Sequence, residues 1–331
     1  MERRTLGRTG LEVSLLTFGC GAVGGLMTKG RPEDQRSAVA RALESGVNVF
    51  DTAPLYGDGA SETNLGRILA ELRPDIVLGT KVRIAPHETD AIAAAVAASL
   101  DRSLARLGRD HVDLLQLHNP VTAAGGDGDL TPEQVLAEVV PAFERERHAG
   151  RVRFLGMTAI GDTASLHEVV GAGVFDTAQI VYNLLNPSAG GPVPAGLPGQ
   201  DYDGLLARAT AAGMGTIVIR SLAGGALSGH AERHPVSMRT VAPIGSSPDY
   251  VTDVRRARSL QTIADEATGG DLVELAIRYV VSQPLVSTLQ VGMATVAEFE
   301  GAAAAVNEGP LAADILARIV KVQAGFAGDG L

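Results

Sequence analysis

Eight short apolar runs, each followed by a segment with helical spacing of its apolar residues, fill the chain from residue 15 to residue 306, and this alternation restricts the fold more than any other feature. The runs cover residues 15–20, 47–52, 76–82, 112–117, 154–158, 178–182, 216–220 and 287–291. They are short and rich in Val, Ile and Leu, as parallel strands covered on both faces are. The intervening segments 32–45, 62–72, 90–107, 132–149, 163–172, 203–212, 252–267 and 296–306 read as helices, with an additional helix at 271–282. Pro32 and Pro132 stand in first turns, where a missing N–H is harmless, and the glycines that follow several helices suit C-terminal caps. With right-handed crossovers, eight such units close into a (β/α)₈ barrel, here preceded by a short hairpin. The competing arrangement is a doubly wound open sheet. Gly19-Cys20-Gly21-Ala22-Val23-Gly24 has the spacing of a dinucleotide turn, but Asp51 follows about thirty residues on, where about twenty is expected. The barrel is therefore preferred, as one domain spanning residues 1–331.

Charge and cysteine usage narrow the function classes. A formal charge of -10 opposes binding to nucleic acid or to an anionic membrane surface, since both need clustered Lys and Arg. Cys20 is the sole cysteine, which excludes an intramolecular disulfide and a Cys-based metal site and points to a reducing, cytoplasmic setting. Arg3, Arg4 and Arg8 precede an apolar stretch at 13–27 and so imitate a signal peptide. Repeated glycines, Glu12 and the lack of a small-residue cleavage site favour the hairpin and first strand instead. No uninterrupted apolar run reaches the ~18 residues of a membrane span. The expected partner is a small molecule, and the expected assembly a monomer or small homo-oligomer.

Asp51 and Lys81 stand at the ends of predicted strands, after the apolar residues 47–50 and 76–80, His118 directly follows a third, and Tyr56 follows Asp51 across a short turn. In a barrel these groups meet at the C-terminal ends of the strands, where barrel enzymes place their catalysis. The loops at 121–130, 186–200 and 223–250 also follow strands and are long enough to form a substrate pocket. Tyr56 is the natural general acid for a carbonyl oxygen. A nearby Lys81 ammonium would lower its pKa from about 10, Asp51 would hold Lys81 charged, and His118 could donate to and orient the carbonyl. None of these groups carries electrons, so a reduction needs a bound hydride donor. Taken singly, Asp51 reads equally well as a turn cap, Lys81 as a solvated charge, His118 as a structural histidine and Tyr56 as packing. Their joint placement argues for catalysis. A metal-dependent hydrolase would need His and carboxylate ligands at several strand ends, and only His118 and Asp51 qualify, with Lys81 between them. No metal is expected.

The chain resembles the aldo-keto reductases. The residues that carry the likeness are Asp51-Thr52-Ala53-Pro54-Leu55-Tyr56-Gly57, Ser61-Glu62-Thr63-Asn64-Leu65-Gly66, Thr80-Lys81, Leu117-His118-Asn119-Pro120 and Gln179-Ile180-Val181-Tyr182-Asn183-Leu184-Leu185. The resemblance implies a barrel without a Rossmann domain and an extended NAD or NADP across the strand ends, with Tyr56 as proton donor beside Asp51, Lys81 and His118. It further implies that Thr158 and Gln179 hold the nicotinamide carboxamide, and that Ser221, Leu222, Gly224 and Gly225 belong to a pyrophosphate loop, with Gly292 and Glu300 toward the adenosine end. The chain departs from the family pattern at Ala159, where an Asn is usual, and at Arg220, where a Tyr commonly stacks on the nicotinamide. A planar guanidinium can also stack. The third departure is the run from Gly292 to Ala302, which lacks the Lys or Arg that clamps the 2′-phosphate of NADP and carries Glu298 and Glu300 instead. NAD is therefore expected over NADP unless Arg233 or Arg239 supplies the charge. The implied activity is hydride transfer between a nicotinamide and the carbonyl or alcohol of a small aldehyde, ketone or aldose. The loop after the seventh strand distantly resembles the bacterial sugar-dehydrogenase branch. The competing function is a nucleotide-sensing binding subunit, like the potassium-channel beta subunits that share this fold.

Overall fold

In the computed structural model, residues 1–328 are described. Strands β1 (Arg3–Thr5) and β2 (Glu12–Ser14) form an antiparallel hairpin. Eight parallel strands follow: β3 (Leu16–Gly19), β4 (Val49–Asp51), β5 (Val77–Val82), β6 (Val112–Leu117), β7 (Val152–Ala159), β8 (Thr177–Val181), β9 (Gly215–Ile219) and β10 (Thr288–Gly292). They pair in chain order, and β10 closes on β3, so the sheet is the predicted (β/α)₈ barrel.

The hairpin plugs the N-terminal end of the barrel. Its Leu6 and Val13 are buried against Val49, Val77, Leu114 and Ile217, which point into the barrel from β4, β5, β6 and β9. Close approach explains Gly7 at φ +50°: a Cβ there would lie 2.2 Å from the Gly215 nitrogen. Above this apolar floor the interior becomes polar. Asp51, Gln116, Gln179 and Gln290 come from β4, β6, β8 and β10, and all are inward-facing. Layers of four side chains from alternate strands are how barrels of this kind fill their interiors.

The helices differ from expectation where local chemistry interrupts the apolar period. The predicted 132–149 helix contains a wide turn, Val135–Val139, directly ahead of Pro141, whose ring and missing N–H spoil regular α geometry. The predicted 252–267 helix is two, Tyr250–Arg258 and Gln261–Ala267, broken where the Ser259 side chain caps the Arg256 carbonyl at 2.7 Å. A short helix at Leu26–Lys29 and a long one at Ala313–Gly325 lie outside the βα alternation. The second of these is tied to the barrel mouth, since Gln323 donates to the Leu184 carbonyl after β8 at 2.9 Å.

The three long loops lie at the C-terminal end of the barrel, held by buried amides. Asn119 donates to the carbonyls of Ile84 and Gly128, both at 2.8 Å, and so fixes the 121–130 loop. Asn186 donates to the carbonyls of Gln200 and Gly245, joining the other two loops. Among the described residues no helix is long and apolar enough to cross a membrane, and no group of three or more His, Cys, Asp or Glu could hold a metal ion.

Candidate active site

Three strand ends and one turn bring the predicted acid, phenol, ammonium and imidazole together. Asp51 ends β4, Lys81 is the penultimate residue of β5, and His118 follows β6, its amide bonded to the Val82 carbonyl at 2.8 Å. Between Asp51 and Tyr56 the chain makes a tight turn, closed by the Tyr56 amide on the Ala53 carbonyl at 3.1 Å. Ser61, Glu62 and Asn64 brace it. Ser61 bonds Thr52 and the Cys20 carbonyl, Asn64 bonds the Met27 carbonyl, and fully buried Glu62 accepts from Thr80 and Arg106, both at 2.6 Å.

Lys81 is 1 % exposed and Asp51 3 %. The ammonium donates to Asp51 Oδ1 and, at 3.0 Å, to the Thr52 carbonyl. Its Nζ lies 5.0 Å from the centre of the Tyr56 ring. The Tyr56 and His118 rings meet edge to face, with centroids 5.8 Å apart and planes at 89°. Asp51 has further donors. Gln116 Nε2 and Gln179 Nε2 reach Oδ2 at 2.8 and 2.7 Å, and Gln290 Nε2 reaches Oδ1 at 3.0 Å.

The electrostatics set the resting protonation. Burial pushes the Tyr56 phenol above its ordinary value, and the opposing pull of Lys81 does not offset it. The expected lowering by Lys81 is present as a contribution, but desolvation outweighs it. The phenol is thus held as an acid at neutral pH. For Lys81, burial would lower the pKa, but Asp51 and Tyr56 outweigh it and keep the ammonium charged. His118 is pushed down to about 3 by burial, then by Lys81 and Arg83, so its imidazole is neutral. Its buried Nδ1 has no partner among the described residues.

The His118 shift carries a pH prediction. An unfolded imidazole titrates near 6.5, so between about pH 6.5 and 3 the unfolded chain binds the extra proton. The contribution of this group to stability is complete above about 6.5 and is lost as pH falls toward 3. A His118→Gln variant is expected to show a shallower fall in stability than the parent between pH 6.5 and 4.5, by up to about 1.4 kcal/mol per pH unit, in denaturant titrations across that range.

The residues expected around a cofactor are distributed unevenly. Thr158 and Gln179 are buried neighbours, with Thr158 Oγ1 donating to Gln179 Oε1 at 3.3 Å, while the Gln179 amide nitrogen is turned onto Asp51. Ser221 donates to the Gln290 carbonyl at 3.1 Å and Leu222 is partly buried. Gly224 and Gly225 have φ of +69° and +106°, and a Cβ would approach Val241 Cγ1 to 2.7 Å and Arg233 Nη1 to 2.9 Å respectively. Such a glycine cradle fits the close backbone approach that a phosphate needs. Arg220 takes φ +57°, its carbonyl pinned by Asn183 at 2.9 Å, and its guanidinium donates to the Ala242 carbonyl at 3.2 Å. Burial lowers its pKa, partly countered by Tyr56. Gly292 is exposed at the end of β10. Glu300 lies on the outer surface, paired with Arg41 at 2.9 Å, whereas Glu298 sits at the start of the helix after β10 and accepts from the Ala294 amide at 2.7 Å. Arg233 is committed to the carbonyls of Gly224, Met238 and Val23 and to the Tyr250 hydroxyl; Arg239 is exposed.

Gln116 and Gln290 were not singled out from the sequence. The signal was present: each is a lone amide inside an apolar strand run, at a position whose parity matches Leu114 and Thr288 on the barrel interior. Cys20 is buried, and desolvation pushes its thiol far above the ordinary range, so it is an inert core residue.

The model of the Aldo/keto reductase family matches residues 15–324. L-galactose dehydrogenase of Arabidopsis thaliana is 29% identical over 317 residues, covering 93% of this chain and 89% of that protein. A putative voltage-gated potassium channel subunit beta of Schizosaccharomyces pombe is 28% identical, covering 87% and 83%. Among solved structures, an aldo-keto reductase from Bacillus halodurans in its holo form superposes with a TM-score of 0.73 at 25% identity, covering 97% of this chain and 96% of that one.

Proposed function

The chain belongs to the aldo/keto reductase family, and from that premise we propose that it is an NAD-preferring oxidoreductase that interconverts the carbonyl and alcohol of a small polar substrate, with Tyr56 as the proton-transferring group. The observation that carries this reading is the placement of the Tyr56 ring between the Lys81 ammonium and the His118 imidazole. A nicotinamide, when bound, supplies the hydride. The chain's own residues supply position and protons. Neutral His118 can donate one hydrogen bond to a carbonyl oxygen and so fix its direction. The Tyr56 hydroxyl, kept protonated by burial, gives its proton to that oxygen as it becomes an alkoxide. Lys81 then stabilises the phenolate, and buried Asp51 keeps Lys81 charged and fixed. In the oxidising direction the same phenolate withdraws the alcohol proton.

Thr158, Gln179 and the Ser221 to Gly225 loop fit a nicotinamide and a pyrophosphate by chemistry: an amide, a hydroxyl and glycine backbone. The preference for NAD rests on charge. The Glu298 carboxylate lies at the turn after β10, Arg41 is already neutralised by Glu44 and Glu300, and Arg233 is consumed by oxygen acceptors. A dianionic 2′-phosphate would find repulsion where it needs a cation, a penalty of about 1–3 kcal/mol. The ratio of kcat/KM for NADH to that for NADPH is therefore expected to be about 10 or more; a ratio below one would reverse the assignment.

An aldose or a similar polyol aldehyde is the favoured substrate, supported by the likeness to an L-galactose dehydrogenase. Steady-state assays with aldoses, simple aldehydes and ketones, each with both cofactors, test the activity. The second reading, a nucleotide-binding subunit with little turnover, is favoured only by the likeness to a potassium channel beta subunit, and the complete set of proton-transfer groups weighs against it.

A further inference from the structure

We propose that Gln116 and Gln290 are positioning residues that set the acidity of Tyr56 by acting on Asp51. This rests on the reading of Tyr56 as the proton donor.

Asp51 is coordinated like an ion in a collar. Gln290 shares Oδ1 with Lys81, Gln116 shares Oδ2 with Gln179, and Gln179 Nε2 also reaches Gln290 Oε1 at 3.3 Å. Of the four strands that alternate with those supplying this layer, β3, β5 and β7 carry glycine beside it, while β9 places Ile217 opposite Gln179. A Cβ on Gly156 of β7 would lie 2.8 Å from Gln116 Cγ, and one on Gly19 of β3 would lie 2.9 Å from Gln290 Cγ. A Cβ on Gly79 of β5 would come to 3.5 Å from Asp51 Oδ2 and 3.6 Å from Gln116 Nε2. Gly156 and Gly19 thus leave room for these amides, and also for Thr177 Oγ1 and the Val291 carbonyl, which a Cβ there would approach to 2.4 and 2.7 Å; at Gly79 a Cβ would make only ordinary contact. Apolar side chains would fill the same volume without the cost of burying amides, and the Gln116 carbonyl oxygen bears that cost, being buried without a partner among the described residues. Packing alone does not call for this arrangement.

Electrostatics gives the collar a role. The charge of Asp51 raises the Tyr56 pKa and the charge of Lys81 lowers it. N–H groups aimed at the carboxylate offset its negative potential, so that Lys81 is gripped less tightly and more of its field reaches the phenol. Removing one amide from either oxygen strengthens Asp51 at the expense of Tyr56, and the phenol becomes a weaker acid.

The test uses Gln290→Met and Gln116→Met, each close to the parent in volume, and the pH dependence of kcat for alcohol oxidation, which rises as the Tyr56 phenol ionises. Both variants are expected to move the midpoint of that rise upward by about half a pH unit or more. Below the midpoint kcat falls about threefold or more while KM for alcohol and cofactor stays within about twofold. An unmoved midpoint in either variant that folds, whatever the change in kcat or melting temperature, reduces the collar to packing and overturns the proposal. If one variant fails to fold, the other decides. If both fail, the paired variants Gln290→Asn and Gln116→Asn, which keep an amide but shorten its reach, take their place, with the same shift expected and an unmoved midpoint again decisive. Tyr56→Phe separates the two levels: if it leaves turnover intact, the underlying reading fails and the collar's role falls with it. If it abolishes turnover while the glutamine variants keep the parent's midpoint, only the collar proposal fails.

Discussion

Tyr56→Phe is expected to lower kcat for carbonyl reduction by about 10²- to 10⁴-fold while leaving cofactor affinity and melting temperature close to those of the parent. The substitution removes one oxygen and keeps the ring that packs against His118 at 5.8 Å and faces Lys81 at 5.0 Å. Nothing else at the site can take its place. Lys81 is held charged by Asp51 and donates to it and to the Thr52 carbonyl, and neutral His118 is far too weak an acid to deliver a full proton. A residual rate from orientation and hydride supply remains. Fluorescence titration with NADH and thermal denaturation check that the loss is confined to chemistry. Undiminished turnover would remove Tyr56 from the mechanism.

Lys81→Met is expected to be as damaging to activity, and in addition to destabilise the fold by about 3–5 kcal/mol. Asp51 is 3 % exposed and, among the described residues, Lys81 is its only cationic partner, so the methionine leaves a buried carboxylate held by neutral amides. The phenol also loses the nearby charge that most lowers its pKa. Combining Lys81→Met with Asp51→Asn removes the stranded charge, and the double variant is expected to recover most of the stability and none of the activity. Urea unfolding of both single variants and the double variant measures the coupling. Additive losses of stability would mean that the pair does not act as a unit.

The architecture was legible because most strands and helices in this chain are locally consistent. The Val112–Leu117 run is apolar enough to be a strand buried on both faces and too short to be a core helix, and the strand spans the residues its pattern predicts. Errors gathered where a single residue overrides a period, as Pro141 does in the 132–149 helix and Ser259 does between Arg258 and Gln261. The convergence of Asp51, Tyr56, Lys81 and His118 was legible because strand ends in a barrel converge whatever the loops do. The sign of the Tyr56 shift was not, because a sequence shows the charge of Lys81 but not the depth of burial that opposes it. Gln116 and Gln290 went unnoticed for a related reason. Their significance lies in meeting Asp51 across the barrel, over sequence separations of 65 and 239 residues, and no local pattern announces that contact. Glu300 stands two residues beyond Glu298 in the helix after β10, so the two point to different faces, and Glu300 pairs with Arg41 at an exposed position.

The most direct test of the central claim follows the transferred atoms. NADH carrying deuterium at the transferable C4 position is incubated with the protein and a panel of aldoses, aldehydes and ketones, and the products are examined by mass spectrometry. The expected result is at least one carbonyl compound whose alcohol carries deuterium on the former carbonyl carbon, in amounts matching the NADH consumed, with the transfer all but lost in Tyr56→Phe. Tight binding of NADH without deuterium transfer to any member of the panel would contradict it and return the chain to the class of nucleotide-binding subunits.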